Sequence, residues 1–236
     1  MQKSYANLLL SVRRITQTNS GKATAGIDRE IVNTPQARVI LVNNWKGGNL
    51  KPTRRVEIPK PNGKLRPLGI PTVRDRIEQA IVKNSLEPEW EAVFEPNSYG
   101  FRPGRSCQDA IEQSFIRTCM SKTGRDTWVL EADIKGFFDN IAHESILNMI
   151  GNFPNRRLIK EWLKAGFVFQ GKLNPTETRH TTRRSNLTAT SQYWFAWRAK
   201  ITLKPPIQNL VWFAMPTILL DVSIKYALLR GRSKGK

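Results

Sequence analysis

The sequence predicts an α+β fold, on three observations. Apolar residues recur at helical spacing near the N-terminus. Two short β-prone runs straddle a Pro-Asn-Gly-Lys turn, and a continuous apolar run at 128–134 lies between helical segments. The chain has 236 residues, 39% of them hydrophobic, which suits one or two domains with real cores and argues against wholesale disorder.

Taken in order, residues 4–17 read as an amphipathic helix with Leu8, Val12 and Ile15 on one face and Arg13 and Arg14 off it. Asn19-Ser20-Gly21-Lys22 breaks that pattern. A second helix is predicted over 35–45, ended by Gly47-Gly48. Arg55–Pro59 and Arg66–Ile70 read as the strands of a β-hairpin around Pro61–Lys64, and Pro59 and Pro67 predict exposed sheet edges. Residues 73–93 are helical through Ile77, Ile81 and Leu86, with an interruption near Pro88. Ser106 opens another helix, and Asp109 three residues later is placed to bond the exposed first-turn amides. Trp128–Ile134 reads as a buried strand, followed by helices over 143–150 and 155–165, the second stopped by Gly166.

Charge narrows the function. With 38 Lys and Arg against 19 Asp and Glu the net charge is +19. Such an excess suits a nucleic-acid backbone as partner, and equally a merely basic protein. Cys107 and Cys119, with only His143 and His180 elsewhere, make neither a zinc site nor a disulfide framework, so a reducing, intracellular setting is expected. Leu8–Leu10 is too short for a signal peptide. The apolar run Leu210–Leu220 contains Pro216 and falls short of a membrane span.

Three segments carry chemistry. Asp133-Ile134-Lys135-Gly136-Phe137-Phe138-Asp139 places a carboxylate at a strand end before an aromatic turn. That arrangement can hold Mg²⁺ through hard oxygen ligands, and it also fits a cap for the helix near residue 143. The hairpin carries Lys60, Lys64 and Arg66, cations suited to a triphosphate or simply solvated. Glu95–Ser106 mixes aromatics, glycines and arginines before a helix N-terminus, where amides and guanidinium groups can hold phosphates; it also fits a turn leading into a capped helix.

Thr24-Ala25-Gly26-Ile27-Asp28, the hairpin, Arg74-Asp75-Arg76, Ser98–Ser106 and the Asp133 strand together closely resemble the group II intron-encoded reverse transcriptases, over roughly residues 1–178. The resemblance implies a right-hand polymerase with fingers and an incomplete palm. Residues 1–22 would be an N-terminal helical extension, 23–178 the fingers and partial palm, and 179–236 a tail without a family domain. It further implies RNA-directed DNA synthesis with two Mg²⁺, maturase activity, a cytoplasmic setting, and group II intron RNA, a DNA primer and template, and dNTP as partners. Carried over by position, Asp133 becomes a metal ligand and the catalytic acid, and Ile134 a carbonyl ligand. Phe138 is the sugar-gate aromatic with Phe137 as fallback; Lys60, Lys64 and Arg66 face the triphosphate; Arg102, Arg105, Arg13 and Arg14 contact nucleic acid.

The resemblance then stops. Relatives of this type continue with Gly-Thr-Pro-Gln-Gly-Gly and a Tyr-Ala-Asp-Asp turn that supplies further metal-binding acids, and neither is present here. From Arg179 to Lys236 the chain has eleven Lys and Arg and one acid, Asp221. Read one nucleotide later, the codons of residues 179–193 can encode Gly-Thr-Pro-Gln-Gly-Gly-Val-Ile-Ser-Pro-Leu-Leu-Ala-Asn-Ile at all fifteen positions. Read two nucleotides later, Val211–Leu219 can encode Leu-Val-Arg-Tyr-Ala-Asp-Asp-Phe-Val, although Trp212 and Met215 have single codons. At least two frame disruptions are therefore expected in the gene, with loss of polymerisation and intron-RNA binding as the alternative activity. The strand at Asp133 is expected to lack its partners and leave an unpaired edge.

Overall fold

The computed structural model describes residues 3–61, 63–94, 96–100, 102–119, 127–131, 142–176 and 225–229. The chain divides into two compact units, Met1–Trp90 with Phe138–Ser191, and Glu91–Phe137 with Gln192–Lys236.

In the first unit, α1 (Tyr5–Arg13) starts at Ser4, whose hydroxyl accepts the Asn7 amide. A single π turn, Arg14–Thr18, then carries the chain on. There the Thr16 hydroxyl donates to the Val12 carbonyl at 2.7 Å and accepts from Arg38 Nε at 3.0 Å, which anchors the irregular turn. Leu8, Val12 and Ile15 are buried and Arg13 and Arg14 exposed, as their spacing predicts. α2 (Pro35–Asn43) has proline in its first turn and Thr34 accepting the Ala37 amide, and it ends two residues before the predicted limit.

α3 (Val73–Glu91) runs through Pro88 rather than breaking there. It contributes Val73, Ile77, Ala80 and Ile81 to a core shared with Leu8, Val12, Ile15, Val32, Leu41 and Val42. A polar seam joins α1 to α3: Asn7 donates to the Ile81 carbonyl at 3.1 Å and accepts from Asn84 at 2.8 Å.

The predicted hairpin is present, longer than expected. β1 (Thr53–Pro59) pairs antiparallel with β2 (Leu65–Ile70), in register from Arg54–Ile70 to Pro59–Leu65. α5 (His143–Ile150) and α6 (Arg156–Lys164) follow the predicted helices, and Arg156 Nε donates to the Leu147 carbonyl at 3.2 Å. A second hairpin, β4 (Phe167–Phe169) with β5 (Lys172–Asn174), was not foreseen. Its turn holds Gln170 at φ 49° and Gly171 at φ 78°, the two left-handed residues of a tight hairpin. β4 lies parallel to β1, giving the sheet order β2-β1-β4-β5. β1 is thus internal at its start and open on its outer side at Pro59, as the proline predicts. β4 pairs only at Thr53 and Arg54, so Pro59 faces a strand on one side alone and its missing N–H breaks no ladder. Pro67 does lie on an edge strand, β2.

In the second unit, α4 (Cys107–Cys119) begins at the predicted cap: the Ser106 amide and hydroxyl donate to Asp109 Oδ2 at 2.7 and 2.8 Å, and the Asp109 amide donates back to the hydroxyl at 3.3 Å. β3 (Thr127–Glu131) pairs antiparallel with β6 (Lys225–Leu229), Thr127 opposite Leu229 and Glu131 opposite Lys225. The palm strand thus has one partner where none was expected, and among the described residues no strand lies on its other side. A strand edge pairs with whatever extended run can reach it, and the tail supplies one. Among the described residues no helix is long and apolar enough to cross a membrane.

Gly166, at φ 71°, joins the two hairpins: its carbonyl accepts the Thr53 amide at 3.1 Å, and an added Cβ would lie 2.6 Å from the Asn174 carbonyl oxygen. Gly166→Ala should therefore destabilise the first unit by about 2 kcal/mol, through backbone strain and loss of the β4 junction, measured by denaturant unfolding.

Candidate nucleic-acid interface

The hairpin puts its cations at one end. Lys60 and Lys64 bracket the turn, where the Lys60 amide donates to the Lys64 carbonyl and the Gly63 amide to the Lys60 carbonyl, both at 2.9 Å. Gly63 takes φ 75°, which the turn requires. Arg66 stands opposite Ile58, one position in from the tip. Lys64 is exposed and Lys60 and Arg66 are half-buried, so the structure brings all three predicted residues to one tip. Alternation along the strands puts Arg55 on the other face of the hairpin, where its guanidinium lies 3.5 Å from the Phe167 ring centroid.

The hairpin's base is built from residues that sequence reasoning left without a role. Asp75 is buried in the first turn of α3. Its Oδ1 accepts the Asn49 and Leu50 amides at 2.7 and 2.8 Å, and Oδ2 accepts the Thr72 hydroxyl at 2.7 Å. Glu78 Oε2 accepts the Gly48 amide at 2.9 Å. Burial raises the Glu78 carboxyl above its ordinary range; the Gly48 amide works against this, and Asp75 and Glu161 add to it. The signal for this cluster was Gly47-Gly48, read only as the end of a helix.

Arg13 and Arg14 are exposed, at the junction of α1 and the π turn. In the second unit Arg102 is inside. Nε and Nη2 grip the Glu91 carboxylate at 2.8–3.2 Å, Nη1 donates to the Ser98 carbonyl at 3.0 Å, and the guanidinium lies 5.0 Å from the Phe94 ring centroid. A guanidinium fixed in this way ties Ser98 and Arg102 to Glu91 and is turned away from the role of phosphate contact expected for it. Arg105 is half-buried, bonded to the Pro96 carbonyl and 5.3 Å from the Tyr99 ring centroid. Asp133, Ile134, Phe137 and Phe138 lie outside the described residues. Among the described residues no three His, Cys, Asp or Glu side chains are grouped to hold a metal ion.

Arg102→Lys keeps the charge but loses the two-pronged grip, so it should destabilise the second unit by about 1–3 kcal/mol in thermal unfolding; a phosphate contact would tolerate it. The Ser106 hydrogen bonds hold the Asp109 carboxyl below its ordinary range. Its cap is complete above the usual carboxylate pKa of about 3.9 and is lost as pH falls through the depressed value, so amide exchange at the start of α4 should rise there and Asp109→Asn should flatten the response.

Comparison with known proteins identifies the family. Residues 58–187, more than half of the chain, match the family described as reverse transcriptase (RNA-dependent DNA polymerase), and residues 1–45 match the N-terminal domain of reverse transcriptase. Protein YkfC of Escherichia coli K12 is 37% identical over 174 residues, 69% of this chain and 46% of that protein. Group II intron-encoded protein LtrA of Lactococcus lactis subsp. cremoris is 38% identical over 160 residues, 64% of this chain and 26% of that protein. The putative COX1/OXI3 intron 1 protein of Saccharomyces cerevisiae is 30% identical over 176 residues, 71% and 20% respectively. The chain spans less than half the length of each of these relatives. With its fingers hairpin, its N-terminal helices and these relatives, the chain belongs to the reverse transcriptase family, in the group II intron-encoded branch.

Proposed function

We propose that this chain is the fingers and partial palm of a group II intron reverse transcriptase that holds structured intron RNA without extending a primer. The observation that carries the proposal is the coding capacity of the tail. The Gly-Thr-Pro-Gln-Gly-Gly and Tyr-Ala-Asp-Asp segments of such enzymes fit residues 179–193 and 211–219 only in shifted frames. Two Mg²⁺ ions need several carboxylates to hold them. Asp133, with the Ile134 carbonyl, would hold one ion, which when bound would supply Lewis-acid stabilisation of the transferring phosphoryl group. Asp139, six residues on, is poorly placed to replace the missing acids. The dNTP and DNA-primer roles belong to the intact relative, in which Lys60, Lys64 and Arg66 would face the triphosphate and Phe138, or Phe137, the sugar.

RNA binding needs none of the missing acids. It is supported by the cationic hairpin tip and the exposed Arg13 and Arg14. Setting aside the tail's eleven cations and single acid, residues 1–178 still carry a net charge of +9.

Purified chain should give no Mg²⁺-dependent cDNA from a primed RNA template. It should bind a structured intron RNA with an affinity that falls linearly in log–log with salt, with a slope of about −0.7 to −0.9 per phosphate contacted. Extension above background would sink the first half of the proposal, and binding indifferent to salt the second. Resequencing the DNA from the codon of Thr178 to that of Lys236 checks the premise: a single frame reading through both motifs would show a polymerase.

A further inference from the structure

We propose that the Asp75 carboxylate, backed by Glu78, is a positioning element that aims the cationic hairpin. The proposal rests on the phosphate-binding reading of the hairpin tip.

One side chain ties down both ends of the hairpin. Leu50, whose amide donates to Asp75 Oδ1, precedes β1 by three residues; Thr72, whose hydroxyl donates to Oδ2, follows β2 by two. The incoming and outgoing chains therefore meet at the two oxygens of a single carboxylate that is 2% exposed. The Thr72 hydroxyl also accepts the Asp75 amide at 3.1 Å, so the outgoing side is bonded twice.

On the incoming side, three successive amides, of Gly48, Asn49 and Leu50, point at two carboxylates. That curl needs left-handed backbone at both ends: Gly47 has φ 97° and Leu50, not a glycine, φ 51°. Gly48 leaves no room for a side chain, because an added Cβ would lie 2.5 Å from both Asp75 Oδ1 and Glu78 Oε2. A non-glycine residue is held in the left-handed region when its surroundings over-determine it, and here two carboxylates do so.

The strands act as a lever. Six residue pairs separate the base from the tip, roughly 20 Å at about 3.3 Å per residue, so a 10° swing at Asp75 would move Lys60 and Lys64 by about 3–4 Å. That is more than a charge-assisted hydrogen bond tolerates.

The test uses the full chain and a fluorescein-labelled RNA stem–loop. Anisotropy is read over a KCl series, and amide exchange is measured by mass spectrometry. Gly48→Ala and Asp75→Ala should speed exchange over residues 47–70 by about tenfold or more while α1 and the Ile77–Leu86 stretch of α3 keep the parent's rates. Both should weaken RNA binding as much as the triple variant Lys60→Ala, Lys64→Ala, Arg66→Ala, with a salt slope lower by about one to two. Asp75→Asn keeps an acceptor oxygen for the two amides and should restore most of both readouts. Unchanged exchange over 47–70 would overturn the proposal. So would faster exchange with parental RNA affinity where the triple variant loses it. If the triple variant binds RNA as the parent does, the phosphate reading of the tip has failed, and exchange alone decides: loosening confined to 47–70 sustains the positioning role, and loosening that spreads through α1 and α3 overturns it.

Discussion

The first turn of α3 is buried, and every loop that reaches it must leave its amides and carbonyls bonded there, because an unpartnered buried polar group costs about 1–3 kcal/mol. Three consecutive side chains meet that demand in three directions. Arg74 pairs with Glu30 at 3.3 Å, Asp75 takes the turn before β1, and Arg76 donates to the carbonyls of Gly21 and Thr24 at 3.0 and 2.6 Å. Burial lowers the Arg76 pKa and Asp28 opposes that shift. Gly26 completes the contact, since a Cβ there would stand 2.6 Å from the Thr72 Cα. The N-terminal segment, the hairpin and α3 are thus set relative to one another by one turn of helix.

This explains which parts of the fold could be read from the sequence. α1, α2 and the β1–β2 hairpin obey local periodicity and turn chemistry, so Leu8, Val12 and Ile15 and the Pro61–Lys64 turn announced them. The π turn was not visible, because it depends on Arg38 reaching Thr16 from 22 residues away. β4 and β5 are three residues each, too short to show alternation, although Gln170-Gly171 between Phe169 and Lys172 was a usable hairpin signal. Pro59 marked an open edge correctly, but a proline reports only on its own N–H, so it gave no sign that β4 pairs with the start of the same strand.

The placement of the candidate residues was legible only in part. The cations of the hairpin meet at one tip, as their spacing suggested. Arg102 looked like a phosphate ligand by the same reasoning, yet Glu91 claims it from eleven residues upstream. Composition cannot tell an arginine that meets solvent from one that closes a loop; only the position of the nearest carboxylate can. In Arg74-Asp75-Arg76 the sequence offered a recognisable string whose members turn out to bond three separate segments.

The parallel pairing of β1 with β4 also bears on how such a chain comes to be folded at all. The Thr53 hydroxyl and amide meet the Gly166 carbonyl across 113 residues. During synthesis β1 must wait with one side open until residues 167–174 emerge, which makes this a slow, high-contact-order closure. Just past β5 the Thr176 hydroxyl donates to the Leu163 carbonyl at 2.7 Å. On the shifted-frame reading, translation leaves the ancestral frame only after Thr178, two residues later. On that reading the change of frame would fall just beyond β5, whereas one some ten codons upstream would strand β1 with a bare edge and invite aggregation.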